Sequence, residues 1–364
     1  MLIVDDSVVV RRLLSDVITE SSELVVAGIA ANGRIALGRI PQVNPDIVVL
    51  DVEMPELDGL QTLVEIRKLY PRLPVVMFSS LTERGAATTL EALTGGASDY
   101  VTKPTSLGGQ GSASDQVRSQ LIPKLLALCG NRVKVDAPSA RPFPTLGAPQ
   151  RAILSPVEIV VIGTSTGGPN ALGELLPRLP ADFPVPILVT QHMPPMFTRL
   201  LAERLNSKCQ LAVREAQAGE LLAPGTIWIA PGDFHLGLER SESETVLTIN
   251  QDPPENGCRP AVDSMFRSAA ALYGGKMLAV VLTGMGQDGA RGAEQIRELG
   301  GQVFAQDEET SVVWGMPGAV VRNQLAHKVL PLQAMAQAIC DAVSLSLKRE
   351  SPVSANRSEL ANGR

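Results

Sequence analysis

The sequence predicts an α/β protein with two doubly wound domains built on mainly parallel sheets. Three observations predict it. Short runs rich in Val, Ile and Leu recur along the chain, and stretches of helical periodicity separate them. Gly, hydroxyl and acidic residues gather just beyond the apolar runs, where the carboxyl edge of each sheet would lie. An unpatterned stretch with Pro138, Pro142, Pro144 and Pro149 divides the chain. The expected organisation is a first domain at 1–129, a linker at 130–156, a second domain at 157–346 and a disordered tail at 347–364. With 364 residues the chain is long enough for two full cores.

In the first domain, strands are expected at Leu2–Val4, 24–29, 46–50, 75–78 and 100–101. Helices are expected at 8–20, 33–39, 60–69 and 115–129. The last shows apolar positions at Val117, Leu121, Leu125 and Leu128, with Pro123 as a possible kink. In the second domain the strand Ile159-Val160-Val161-Ile162 is apolar throughout, as in a sheet covered on both faces. Further strands are expected at 187–190, 211–214, 226–230, 278–282 and 302–305. Residues 233–238 and 245–250 alternate and suggest an antiparallel hairpin.

Charged and hydroxyl residues mark the strand ends of the first domain. Asp5-Asp6 follows the first strand, Asp51 ends the third, Ser79-Ser80 ends the fourth, and Lys103-Pro104 follows the fifth. A doubly wound sheet brings these ends to one edge. Three carboxylates there call for a hard divalent cation, and an all-oxygen set suits Mg²⁺. A lysine opposite them can hold a phosphoryl oxygen as a point charge. Taken singly, each acid reads equally as a solvated loop residue; together they read as a site.

The second domain is organised around Gly163-Thr164-Ser165-Thr166-Gly167-Gly168-Pro169, a strand-to-helix turn. The spacing Gly163-x-Ser165-x-Gly167 is that of a nucleophile elbow. The alternatives are a loop that only reverses the chain and a phosphate-binding loop. The second fails because Ser165 occupies the place of the close-approach glycine. A serine hydroxyl needs a base. Of the three histidines, His192 stands just beyond a strand, as Ser165 does; His235 is the runner-up, and His327 precedes a late strand, at the opposite sheet edge. Asp288, beyond strand 278–282, is the candidate acid to orient the imidazole, with Asp263 a weaker one. The order Ser165, His192, Asp288 differs from the Ser, Asp, His order of α/β-hydrolases.

Composition narrows the function classes. A net charge of −6 with 3% aromatic residues argues against a nucleic-acid partner. No apolar run approaches the ~20 residues of a membrane span, and the start Met1-Leu2-Ile3-Val4-Asp5 has no signal-peptide pattern, so a cytoplasmic protein is expected. Cys129, Cys209, Cys258 and Cys340 lack paired spacing and read as free thiols.

Asp5-Asp6-Ser7, Asp51-Val52-Glu53-Met54-Pro55, Asp58-Gly59, Ser79 and Lys103-Pro104 resemble a response-regulator receiver domain of flavodoxin-like fold. That resemblance implies phosphorylation of Asp51 by a histidine kinase, Mg²⁺ on Asp6 and Asp51 with Asp5 nearby, Lys103 on the phosphoryl group, and Ser79 with Tyr100 as a switch pair. The first strand, starting at Met1, is shorter than the family pattern. The stretches 163–169, Gln191-His192-Met193, Thr283-Gly284-Met285-Gly286 with Asp288-Gly289, and Trp314-Gly315-Met316-Pro317 resemble the Rossmann-like catalytic domain of CheB-type protein-glutamate methylesterases. This implies hydrolysis of glutamate γ-methyl esters on chemoreceptor cytoplasmic helices, with deamidation of receptor glutamines, in chemotaxis adaptation. Ser165, His192 and Asp288 would be the triad. The N–H of Thr166, next after the nucleophile, is a natural oxyanion donor; the resemblance adds that of Met285. The esterase chemistry would need no cofactor. The competing class is a receiver fused to a non-catalytic protein-interaction module.

Overall fold

A computed structural model describes residues 1–104, 113–130 and 156–350. The N-terminal domain alternates β1 (Leu2–Val4), α1 (Val8–Thr19), β2 (Gly28–Ala30), α2 (Gly33–Val43), β3 (Val48–Asp51), α3 (Gly59–Leu69), β4 (Val75–Ser79), α4 (Glu83–Thr94), β5 (Asp99–Thr102) and α5 (Ala113–Gly130). Its parallel sheet has the order β2-β1-β3-β4-β5. Ser7, Asn32, Asp58 and Thr82 cap α1 to α4 with side-chain oxygens on backbone N–H groups.

The C-terminal domain runs β6 (Ile159–Thr164), α6 (Gly168–Leu175), β7 (Ile187–Gln191), α7 (Phe197–Asn206), β8 (Ala212–Glu215), β9 (Thr226–Ile229), β10 (His235–Ser241), β11 (Glu244–Asn250) and α8 (Val262–Tyr273). It continues with β12 (Met277–Val281), α9 (Ala290–Glu298), β13 (Gln302–Gln306), α10 (Met316–Arg322), β14 (Lys328–Leu330) and α11 (Leu332–Glu350). Seven strands form a sheet of order β14-β13-β12-β6-β7-β9-β8, every pairing parallel. The strands β10 and β11 form the expected antiparallel hairpin. The chain leaves β6 toward β7 on one side, whereas β12 and β13 lie on the other, so the order reverses beside β6. A crevice opens at such a point beyond the carboxyl ends of the strands. Every residue of β6, β7 and β12 is buried, which accounts for their uninterrupted apolar runs.

Three expectations are corrected. The strand expected at 24–29 is only Gly28–Ala30, because its neighbour β1 is three residues long and pairs Leu2 with Gly28. Helix α4 has no counterpart among the elements expected from sequence; Gly85, Thr88, Thr89 and Thr94 are weak helix formers. Helix α11 continues to Glu350, past the expected limit of 346, with Met335, Ile339, Ala342 and Val343 buried along one face. Gly130 is the last residue of α5. The rest of the expected linker, 131–155, and the tail from 351 lie outside the described residues.

The domains meet along α4, β5 and α5. Tyr100 of β5 stacks on Phe197 of α7, with ring centroids 4.7 Å apart and planes 9° from parallel. Helix α4 packs on α6 and α7. Val313, before α10, joins the buried cluster of α1 and α5 residues, and Met285 packs against that cluster.

Candidate active site

The site is built at the ends of three neighbouring strands. Ser165 follows β6, His192 follows β7 and Asp288 lies on the loop after β12. The turn at Ser165 is held by its neighbours. Its N–H donates to Thr283 O at 3.0 Å, and its carbonyl accepts from Gly168 N at 2.8 Å and Gln191 Nε2 at 3.0 Å. Gly167 adopts φ +80°, in the left-handed region. Gly284 admits the close approach of the serine, since a Cβ there would lie 2.9 Å from Ser165 Cβ.

His192 Nε2 meets Asp288 Oδ2 at 2.7 Å, with the two side chains 12% and 3% exposed. Asp288 Oδ2 also accepts from Val262 N, and its Oδ1 from Asp263 N, Gly289 N and Asn256 Nδ2. Burial alone would raise its pKa; the bonds from His192 and the backbone N–H groups reverse this and hold it at about 2. His192 shows the opposite balance. Burial lowers its pKa, but Asp288 and the Cys258 sulfur outweigh that and lift it to about 9. With Nε2 on Asp288, Nδ1 is the nitrogen left to exchange protons, the reverse of the serine-protease template. Nδ1 lies 3.5 Å from Cys258 Sγ. Among the described residues, no hydrogen bond joins Ser165 to His192.

The other candidates have structural surroundings. His235, the runner-up base, is buried on β10; its Nε2 faces Pro253 O and its Nδ1 accepts from Ala261 N. His327 accepts from Val303 N just before β14, and burial lowers its pKa. Asp263, the weaker acid candidate, accepts from Asn256 and Gly292 N and touches Asp288 only through its own N–H. Thr166 follows Ser165, and Met285 follows Gly284, on the loops after β6 and β12.

In the N-terminal domain, Asp5, Asp6 and Asp51 place carboxylate oxygens within 4.8 Å of one another, with Asp5 and Asp51 buried. Lys103 Nζ lies 2.8 Å from Asp51 Oδ1 and 3.0 Å from Asp5 Oδ2. Burial and the Asp5 charge push Asp51 up to about 6 although Lys103 pulls the other way. Asp51 Oδ2 is buried without a hydrogen-bond partner. An all-oxygen cluster with an orphaned buried oxygen fits a hard divalent cation. Ser79 Oγ points toward α4, accepting from Thr89 Oγ1 at 2.6 Å and donating to Gly85 O at 3.1 Å.

The two sites are joined by a contact that the sequence did not announce. Thr166 Oγ1 donates to Asp99 Oδ2 at 2.6 Å, so a carboxylate of the N-terminal domain sits on the residue after Ser165. Lys124 Nζ of α5 pairs with the same oxygen at 3.0 Å. Arg199 of α7 pairs with Glu83 of α4 at the exposed rim.

Comparison with known proteins matches these two halves separately. The model of the CheB methylesterase family matches residues 160–339, and that of the response regulator receiver domain matches 1–108. A protein from Trichodesmium erythraeum named protein-glutamate methylesterase/protein-glutamine glutaminase is 52% identical over 343 residues, covering 93% of this chain and 97% of that one. The chain belongs to the CheB methylesterase family. A Thermotoga maritima relative of the same name is 42% identical, with 94% and 98% of the two chains covered. The crystal structure of the Thermotoga maritima CheB methylesterase catalytic domain superposes with a TM-score of 0.50 at 46% identity, covering 52% of this chain and 98% of that one. These relatives give no support to a non-catalytic output module. No helix among the described residues is long and apolar enough to cross a membrane.

Proposed function

We propose that the chain is a phosphorylation-regulated protein-glutamate methylesterase of the cytoplasm. It removes methyl groups from glutamate γ-methyl esters on chemoreceptor helices and deamidates receptor glutamines. The observation that carries this reading is the His192–Asp288 pair, 2.7 Å long, on strand ends flanking the Ser165 elbow in a member of the CheB family. Ser165 Oγ attacks the side-chain carbonyl as His192 Nδ1 takes its proton; Asp288 orients the ring and stabilises the imidazolium. The N–H groups of Thr166 and Met285 receive the oxyanion, each such donor being worth ~10²–10³ in rate. His192 returns the proton to methanol, or to ammonia from glutamine, and then activates the water that frees the acyl group.

Asp51 is the proposed phosphoacceptor, served by a histidine kinase. Asp6 and Asp51, with Asp5 beside them, would hold Mg²⁺, which when bound neutralises the carboxylates and draws the phosphoryl oxygens. Lys103 supplies a second cation to them. Ser79 and Tyr100 are the proposed switch. The Asp99–Thr166 bond and the Tyr100–Phe197 stack support a resting state in which the receiver covers the esterase. The test is methanol release from methylated receptor membranes by the purified protein. Ser165→Ala should abolish it while leaving the fold intact; release near the wild-type rate would remove Ser165 from the mechanism.

A further inference from the structure

The loop between β11 and α8 reaches both members of the His–Asp pair. Asn256 Nδ2 bridges Asp288 Oδ1 at 2.9 Å and Asp263 Oδ2 at 3.0 Å, and two residues on, Cys258 Sγ lies 3.5 Å from His192 Nδ1. The loop is tightly built. Glu255 and Cys258 exchange backbone hydrogen bonds of 3.0 and 2.9 Å. Glu255 also takes two bonds from Arg267, at 2.7 and 2.6 Å, and Arg259 is pinned to Asp233 at 2.7 Å. The thiol is therefore fixed against the nitrogen that must take the Ser165 proton.

We infer that Cys258 is a second nucleophile served by the same base, a modification site for small disulfides at which an adduct switches the esterase off. The off-switch rests on the methylesterase reading; the modification itself does not. A thiol beside an imidazole is the arrangement that activates cysteine. Two of the other three thiols, Cys209 and Cys340, are held in the neutral form by burial, up to about 11 in Cys209. In the reaction, His192 takes the Cys258 proton and the sulfur attacks one sulfur of R–S–S–R. A new S–S bond forms at Cys258, the old one breaks, and the departing thiolate takes the proton to leave as R–SH. Cys258 is oxidised, the departing sulfur is reduced, and excess thiol reverses the exchange. The adduct covers Nδ1 while Asp288 occupies Nε2, so Ser165 has no proton acceptor.

The experiment treats the full-length protein with cystamine. Adduct at each cysteine is followed by peptide mass, and demethylation by methanol release. The expected results are an adduct on Cys258, a rate at least ~10-fold lower that falls in step with it, and recovery in dithiothreitol. The treated-to-untreated rate ratio of Cys258→Ser should stay near one, and His192→Gln should slow Cys258 labelling at least ~10-fold. An adduct that leaves the rate within twofold, inhibition without an adduct at Cys258, an equal loss in Cys258→Ser, or equal labelling in His192→Gln would each overturn the proposal. The labelling arms need no folded Cys258 variant. Failure of the methylesterase reading is distinguishable, because untreated protein would then release no methanol while labelling still reported on the thiol.

Discussion

The contact most open to a quantitative test is the Asp99–Thr166 bond. Asp99 is 5% exposed and its carboxylate accepts a 2.6 Å bond from Thr166, so Asp99→Ala removes a buried charge-assisted hydrogen bond from the domain interface. Such a bond contributes about 1.5–3 kcal/mol, a factor of about 12 to 150 in the closed-to-open ratio. Starting from a closed form favoured ~99:1, the open fraction would rise from ~1% to between about a tenth and three-fifths. Basal methanol release by unphosphorylated full-length protein should therefore increase ~10- to 60-fold, with the activity of a 153–364 fragment as the ceiling. Asp99→Asn keeps an uncharged acceptor and should fall between wild type and Asp99→Ala. Lys124 is not stranded, because its Nζ also donates to Tyr100 O at 2.7 Å. Glu83→Gln is the control: the Arg199–Glu83 pair is 44% and 66% exposed, and its loss should change the basal rate far less. An Asp99→Ala rate within twofold of wild type, beside a fast fragment, would refute the latch. A fragment slower than the unphosphorylated full chain would refute inhibition altogether.

Two further outcomes are expected. Asp51→Asn keeps the shape of the side chain but removes the anionic nucleophile, so phosphate transfer from acetyl phosphate should vanish and basal esterase activity should lose its response to phosphodonor; label on Asp5 or Asp6 of the wild-type protein would reassign the site. The proposed mechanism needs neutral His192, whose pKa is lifted to about 9, so kcat/KM of the unphosphorylated chain should climb through about pH 9. The same shift makes the His192 contribution to stability complete below the ordinary histidine value near ~6.5 and lost as pH rises through about 9. A rate profile with its midpoint near ~6.5 would show that Asp288 and Cys258 do not hold the imidazolium.

The strand-end residues were legible because a parallel sheet gathers everything that follows its strands. Ser165, His192 and Asp288 each lie just past an apolar run, and the observed order places those runs side by side. The same logic found Asp5, Asp6, Asp51 and Lys103. What escaped were residues whose role depends on contacts between distant loops. Asn256 and Cys258 sit in a loop without period, and their roles come from the 2.9 and 3.5 Å approaches to Asp288 and His192. Asn256-Gly257 reads only as a turn. Asp99 is an acid at the start of a strand, where solvation is the ordinary reading; only docking of the second domain gives it Thr166 as a partner. The choice of imidazole nitrogen was likewise hidden, because it follows from the side on which the Asp288 loop approaches.

One strand connects the proposed phosphorylation site to the esterase. Lys103, which pairs with Asp51 and Asp5, follows the last residue of β5, and Asp99 begins it. The two ends lie about 13 Å apart at the usual rise per residue. Asp99 and Tyr100 are adjacent in this edge strand, so their side chains leave on opposite faces; Thr166 receives the first and Phe197 the second. An edge strand exposes unpaired backbone and is normally covered; here Lys124 of α5 reaches the Tyr100 carbonyl, and the catalytic domain meets the strand through side chains. A phosphoryl group on Asp51 would compete for Lys103 and for the Ser79 hydroxyl, which now bonds the first turn of α4 through Gly85 O. The helix that would lose this hydroxyl carries Glu83, the partner of Arg199. The buried Asp99–Thr166 tie and the exposed Glu83–Arg199 tie thus lie on β5 and α4, the two elements next to groups that the phosphoryl oxygens would claim. In the proposed regulation, the elements that would bind phosphate are continuous with those that reach the loop of Ser165, so the Asp99→Ala comparison above tests their coupling.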